Sequence, residues 1–368
     1  MLTMRIGLDL RITYYTDGGI ARYARRLASA LPELAPEHEH VHLYRRGHHE
    51  TFSARARRVV CWTPAHHQFE RSALGLELLP KRLDLLHSPD FIPPYFGVGR
   101  RVITVHDLTF LHHPEFLTED SRRYYAGNIR QSIEVADAII AVSHATKADL
   151  VDLLDVPVEK VRVVHQGLDE RFRVLPASDV DATLMQYDLE RGYILFVGTF
   201  EPRKNVPGLL RAYAHLRKCR PDAPPLVLVG NRGWLFNEAA RLMESLGLRE
   251  HVRYFENLPD PDLPALYNGA RVLALTSHYE GFGFPILEAM ASGTPCVISD
   301  RSSLPEVAGP AALAVDPNDA EALANALDRL LTDRSLHAEL RQRGLERAGS
   351  FSWERTARET LAVYRDVA

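Results

Sequence analysis

The segment Glu280-Gly281-Phe282-Gly283-Phe284-Pro285-Ile286-Leu287-Glu288 sets two carboxylates eight residues apart across a glycine-rich turn. Spacing alone says little. Each acidic residue type makes up roughly 6% of an ordinary chain, so about one such Glu pair arises by chance, and without the Gly-Phe-Gly core two surface acids are the better reading. The residues between the glutamates reverse that. Residues 271–276 read as a buried strand, Gly281-Phe282-Gly283 as a tight loop at its C-terminal end, and Pro285 as a residue of a first helical turn. Glu288 is then expected in that first turn, where a carboxylate suits the helix dipole and backbone N–H groups lack intrahelical partners. Such a segment is built to hold an anion.

Three further segments end strands. Asp17-Gly18-Gly19-Ile20 follows the first strand and precedes a helix over 21–31, so its glycine backbone can approach a phosphate closely, although it also reads as a plain strand-to-helix turn. His106-Asp107 closes a strand over 101–106, and His106 has two readings, a binding residue or a satisfied strand-end histidine. Gly198-Thr199-Phe200-Glu201-Pro202-Arg203-Lys204-Asn205 puts two cations just before a helix, where the dipole disfavours them. An anionic ligand removes that penalty.

Short Val/Ile/Leu runs position these groups. They fall at 5–9, 41–44, 59–62, 83–87, 101–106, 138–143 and 161–165, and again at 193–198, 226–230, 252–255, 272–276, 295–299 and 312–315. Amphipathic segments such as 208–219 and 237–246 lie between them. Strands without alternation, separated by helices, predict parallel sheets covered on both faces. The pattern breaks near 171–191. The expected fold is therefore α/β, with two Rossmann-like domains, residues 1–171 and residues 172–352, and a terminal amphipathic helix over 353–368. Ligands of open parallel sheets bind beyond the carboxyl ends of the strands, so two such domains are expected to face each other across a cleft that holds every candidate group.

Composition narrows the function. The chain of 368 residues, 46% hydrophobic and 25% charged, is that of an ordinary globular protein with room for two cores. Its net charge is -4, yet residues 1–101 carry 15 Lys and Arg against 10 Asp and Glu. That excess, with Arg45, Arg46, Arg55, Arg57 and Arg58, reads either as a solvated face or as contact with anionic lipid. A long basic amphipathic helix is not evident. A net acidic chain without a basic and aromatic stripe disfavours nucleic acid. Cys61, Cys219 and Cys296 are isolated, which predicts neither disulfide nor zinc site and fits a reducing compartment. His48-His49, His66-His67 and His112-His113 lack carboxylates at metal-ligand spacing and read as surface residues, and His144 as a turn or capping residue. Without a spanning run or a signal peptide the chain is expected in the cytoplasm.

Taken together, Gly18-Gly19, Val105-His106-Asp107-Leu108, Val142-Ser143-His144-Ala145-Thr146, Gly198-Thr199, Glu201-Pro202-Arg203-Lys204-Asn205 and the 280–293 segment resemble glycosyltransferase family four over nearly the whole chain. The resemblance implies the GT-B architecture and a retaining, metal-independent transfer from a nucleotide diphosphate sugar. Phe351-Ser352-Trp353 resembles the family's C-terminal segment that crosses back onto the first domain.

Roles follow from the resemblance. Arg203 and Lys204 would contact the donor diphosphate, whose leaving oxygen gains charge as the glycosidic bond breaks. Glu288 would accept hydrogen bonds from the ribose hydroxyls, and Glu280 would orient the donor sugar. Gly281, Phe282, Gly283, Phe284 and Leu287 would pack against sugar and phosphate, Gly18 and Gly19 under the diphosphate, and His106 would reach the sugar or acceptor side. Thr199 departs from the pattern, since many members carry a basic residue there; Arg203 beside Lys204 supplies the charge. Retention by attack from the leaving-group face needs no protein nucleophile, while a double displacement would use Glu280. The motif versions resemble mannosyltransferase-like members, which makes GDP-mannose the preferred donor over UDP-glucose or UDP-N-acetylglucosamine, and a glycan or lipid-linked acceptor the partner in surface polysaccharide or glycolipid assembly. A GT-B epimerase or hydrolase of UDP-sugars and a silent nucleotide-binding scaffold are the alternatives. A nicotinamide dehydrogenase is disfavoured because neither first-strand turn carries Gly-x-Gly-x-x-Gly with its later acid.

Overall fold

Fully apolar tetrapeptides such as Ala138–Ala141, Leu226–Val229 and Val272–Leu275 are buried at every position, which only a sheet covered on both faces allows. In the computed structural model, which describes residues 3–16, 18–233 and 236–368, these are central strands of two parallel sheets. The chain divides into two units, one comprising Met1–Gly167 with Phe351–Ala368, the other Leu168–Ser350. The division falls a few residues before the expected boundary at Arg171.

The first unit holds a seven-stranded sheet of β1 (Arg5–Asp9), β2 (Glu39–Arg45), β3 (Arg57–Cys61), β4 (Leu83–Ser88), β5 (Val98–Val105), β6 (Ala138–Ala141) and β7 (Val161–Val163), in the order β3-β2-β1-β4-β5-β6-β7. The second holds β8 (Ile194–Val197), β9 (Leu226–Val229), β10 (Val252–Phe255), β11 (Val272–Leu275), β12 (Cys296–Ser299) and β13 (Ala312–Val315), ordered β10-β9-β8-β11-β12-β13. In both, the chain winds outward from the first strand, returns, and winds the other way. The reversal leaves a gap between neighbouring crossovers at the carboxyl ends of β1 and β4, and of β8 and β11, where such sheets bind ligands.

The last helix, Trp353–Val367, belongs to the first unit and packs on Gly19–Leu34. Ser352 caps it, accepting from Arg355 N. A buried polar chain fastens it: the Tyr364 hydroxyl lies 2.6 Å from His87 Nδ1, His87 Nε2 lies 2.7 Å from Thr104 Oγ1, and the Tyr23 hydroxyl lies 3.0 Å from the same oxygen. Burial lowers the His87 pKa to about 3, so the ring is neutral and one nitrogen accepts while the other donates. Gly167 makes the crossing feasible, because a Cβ there would lie 2.3 Å from Trp353 N.

Candidate active site

In the second unit, the loops after β8 and β11 bring the two motifs together. Pro202–Lys204 forms one 3-10 turn, and Asn205 ends it with φ 52 and caps the helix Val206–Cys219 by accepting from Gly208 N. The Asn205 amide also donates to Pro317 O at 2.7 Å, and His278 N donates to Arg203 O at 2.7 Å. Both ends of the Arg203-Lys204 pair are thereby fixed by bonds to distant parts of the unit. Lys204 is 8% exposed and Glu280 6%. Lys204 Nζ donates to Glu280 Oε1 at 2.5 Å, and Arg203 NH1 donates to Glu280 Oε2 at 2.8 Å, while Arg203 Nε reaches Glu201 Oε2 at 2.8 Å. The Ser277 hydroxyl adds a 2.7 Å bond to Glu280 Oε1.

Burial by itself would raise the Glu280 pKa, but the charges of Lys204 and Arg203, with hydrogen bonds from Lys204 and Ser277, outweigh it and bring the value to about 2. Burial lowers the Lys204 pKa, and Glu280 opposes that shift. Two cations thus share one firmly ionised carboxylate. The backbone around Glu280 is equally constrained. Its N–H donates to Ser302 Oγ at 2.8 Å, and the Ser302 and Ser303 hydroxyls lie 3.0 and 2.8 Å from its carbonyl oxygen.

Gly283 stands at φ 101, a left-handed conformation open to glycine, and a Cβ there would lie 2.7 Å from Leu304. It starts the helix Phe284–Ala291, with Pro285 in its first turn. The expectation for Glu288 needs correction. The helix begins at Phe284, so Glu288 lies one turn further in, 3% exposed, and not in the first turn. Its environment comes from tertiary packing: the Tyr267 hydroxyl donates to Glu288 Oε2 at 2.8 Å. Gly281, Phe282 and Leu287 are buried as well, and Phe284 and Thr199 are partly exposed.

In the first unit, Gly18 is the N-cap of the helix Gly19–Leu34, which begins two residues before the expected start, and both glycines are exposed. Asp17 lies outside the described residues. His106 follows β5. Its Nε2 lies 2.9 Å from Pro89 O, which can only accept, so Nε2 carries the proton, and Nδ1 faces the Gln166 amide at 3.4 Å. Burial lowers its pKa, which keeps it neutral. It is a satisfied histidine that nonetheless lines a cavity beside Asp107.

Sequence reasoning missed the charged centre of this unit. Arg11, 1% exposed, donates to Asp9 Oδ2 at 2.6 Å, to Glu70 Oε1 at 2.7 Å and to Thr63 O at 3.0 Å. Burial opposes its charge, yet Asp9 and Glu70 hold it protonated. Several histidines read as surface residues have acid partners. His66 Nε2 lies 2.6 Å from Asp90 Oδ2, His112 Nε2 2.7 Å from Asp149 Oδ1, and His113 Nδ1 3.1 Å from Glu115 Oε1. These partners come from other turns or strands, except for Glu115, two residues away. For the Arg11 cluster, an acid at the end of β1, Asp9, followed two residues later by Arg11 was the available signal. His144 opens the helix His144–Leu154, but its cap is Ser143.

The second unit matches the family described as Glycosyl transferases group 1 over residues 186–347, and the first matches Glycosyltransferase Family 4 over residues 17–172. O-antigen chain mannosyltransferase B of Escherichia coli is 37% identical over 283 residues, covering 76% of this chain and 74% of that protein. The serotype-specific mannosyltransferase WbdA of the same organism is 32% identical over 263 residues, 70% of this chain but 32% of that longer protein. Sucrose-phosphate synthase from Thermosynechococcus elongatus shares the fold at a TM-score of 0.78, with 24% identity over 99% of both chains. The chain belongs to the family four, group 1 glycosyltransferases and has their GT-B fold of two Rossmann-like units. It is a hexosyltransferase.

Proposed function

We propose that this enzyme transfers mannose from GDP-mannose to a glycan or lipid-linked acceptor, with retention of anomeric configuration and without a metal, in cell-surface polysaccharide assembly. The observation that carries the reading is the Lys204–Glu280–Arg203 cluster at the β8/β11 reversal; the mannosyltransferase relatives support the sugar. A donor diphosphate entering there would draw further hydrogen bonds from Lys204 and Arg203 while both keep their contacts with Glu280. The glycosidic C1–O bond then breaks toward a phosphate oxygen stabilised by two fixed cations. The acceptor hydroxyl forms the new C1–O bond on the same face, and its proton passes to the departing phosphate.

Glu280 is a poor nucleophile in this setting. Both of its oxygens are engaged by cations, and its pKa of about 2 marks a weak base, which favours front-face attack over double displacement. Its role is to orient the donor sugar and to hold Lys204 and Arg203 in place. Glu288, with Tyr267, would bind the ribose, Leu287 and the Gly281–Phe284 backbone would line the sugar, and Gly18 and Gly19 would approach the diphosphate.

No described helix is long and apolar enough to cross a membrane. For an acceptor carried on lipid, peripheral contact at the inner face of the membrane fits two arginines of the N-terminal excess. Arg45 stacks 4.3 Å over Tyr14, and Arg46 4.1 Å over Trp62, which is 71% exposed. Arg55 and Arg58 are instead spent internally, on Glu33 and on backbone oxygens. A thermal-shift screen against GDP, UDP and their sugars tests the donor: a ligand at ~100 times its dissociation constant adds about 2.7 kcal/mol of stability. The largest shift should come with GDP-mannose. A larger shift with a UDP-sugar reassigns the donor, and none with any nucleotide removes the transferase reading.

A further inference from the structure

Arg334, His337 and Arg341 fall at i, i+3 and i+7 of the helix Arg334–Ala348 and so share one face of it. That face meets the amino end of β11, because His337 Nε2 lies 3.0 Å from the carbonyl oxygen of Arg271, the residue just before the strand. The oxygen can only accept, so Nε2 carries the proton. Arg341 lies against Gly293, where a Cβ would stand 3.0 Å from its Nε and 3.1 Å from its NH2. The missing side chain is what lets the guanidinium settle there. Arg271, Arg334, His337 and Arg341 thus gather within the second unit, at the opposite end of β11 from Ser277 and Glu280.

The cluster has no acid. Among the described residues none of the three guanidiniums pairs with a carboxylate. Asp333, just before Arg334, caps the helix by accepting from Leu336 N at 2.9 Å, and Glu339 pairs with Arg343 on the far face at 2.6 Å. One helix therefore balances its charges on one face and leaves them unbalanced on the other. Burial lowers the Arg271 pKa, and the charge of Arg334 adds to that. Burial also lowers His337; its bond to Arg271 opposes the shift, and the charges of Arg271 and Arg341 add to it. Arg334, in a first helical turn without an acid, works against the dipole as well. A bound anion relieves all of this. Guanidinium forks match the paired oxygens of phosphate, and a phosphate monoester, with its second pKa of ~6, brings nearly two charges where a carboxylate brings one. None of the exposed large apolar side chains is on this helix or beside Arg271, so nothing here would anchor in lipid.

We propose that Arg271, Arg334 and Arg341 bind the phosphate group of a water-soluble phosphorylated ligand, at a site separate from that of the donor. The inference does not depend on which sugar is transferred.

A phosphorus NMR titration of the full chain with inorganic phosphate tests it, at constant ionic strength and with GDP in excess so that Lys204 and Arg203 are occupied. The phosphate resonance should broaden saturably with the wild type. Arg271→Gln and Arg341→Gln should each weaken binding about tenfold, the size expected for losing a charge-assisted hydrogen bond. Arg341→Lys, which keeps the charge but not the fork, should fall between. GDP affinity should stay at the wild-type value in every variant, which also reports that the second unit is folded. A merely solvated arginine face predicts no saturable broadening, or binding that both glutamine variants leave unchanged; either result overturns the proposal. Sedimentation with phosphatidic acid vesicles that is lost in the same variants would move the site to a membrane surface and overturn the water-borne ligand. Phosphate binding that depends on Arg271 in protein that ignores GDP supports this site while removing the donor reading.

Discussion

The carboxyl ends of β1 and β4 and those of β8 and β11 are the same place in two copies of one topology, and each carries a buried ion cluster of opposite composition. In the first unit one cation, Arg11, is shared by two acids, Asp9 and Glu70. In the second, two cations, Lys204 and Arg203, share the one buried acid, Glu280, while Arg203 also pairs with the partly exposed Glu201. The first cluster is closed, since Arg11 has its donors spent on protein oxygens. The second can be shared, because an ammonium and a guanidinium carry three and five N–H donors and a diphosphate can join Glu280 on them. Topology therefore fixes where a ligand binds, while the local ratio of acids to cations fixes what kind of ligand it is. An anion suits the second reversal, whereas the first offers it, among the described residues, no cation that is not already paired.

Removing Arg11 gives the largest expected effect. Arg11→Ala leaves Asp9 and Glu70 buried without their cation, which should cost about 3–5 kcal/mol in urea denaturation. Nucleotide affinity of the folded fraction should not change; if it falls, the two clusters are not separate in function. Lys204→Ala should do the reverse, slowing transfer by roughly 10²–10³-fold in a protein that stays folded. A near-normal rate in single-turnover assays would take Lys204 out of the mechanism.

Acid titration separates the clusters by sign. The Glu280 pKa is depressed to about 2, so its contribution is fully present above its ordinary 4.5 and is lost as pH falls toward 2. The Glu70 pKa is raised, mainly by burial, so its contribution is present at low pH and is lost as pH rises through the folded value. Glu280→Gln should therefore flatten the acid limb of stability by roughly 3 kcal/mol between pH 5 and 2, and Glu70→Gln should steepen it. Melting temperature against pH reads both slopes, and slopes of the same sign would refute the contrast. The smallest effect is expected at Tyr267. Tyr267→Phe removes the donor to Glu288 and should weaken nucleotide binding about fivefold, with Glu288→Ala weakening it more. Calorimetric affinities equal to wild type would end the ribose assignment.

Much of the scaffold was legible. Each of the thirteen described strands overlaps an apolar run read from the sequence, most plainly the central ones, which are buried on both faces and therefore apolar. The loop 280–288 and the Arg203-Lys204 pair were found because glycines and charges at strand ends are local signals. Pro285 does stand in the first turn, but Glu288, expected there too, falls just beyond it, since sequence marks a helix start only loosely. The Asp9–Arg11–Glu70 cluster was invisible because Glu70 is 59 residues from Arg11 in sequence.

The sequence by itself determined the two parallel-sheet units, their strand-ending turns and the terminal helix, since hydrophobic period and turn residues act over a few positions. Only the tertiary structure decided which charges meet. Lys204 and Glu280 lie 76 residues apart yet make a 2.5 Å bond, and His66 finds Asp90 across 24 residues. A buried ion's partner is set by which strand ends the topology brings side by side, and no local pattern encodes that.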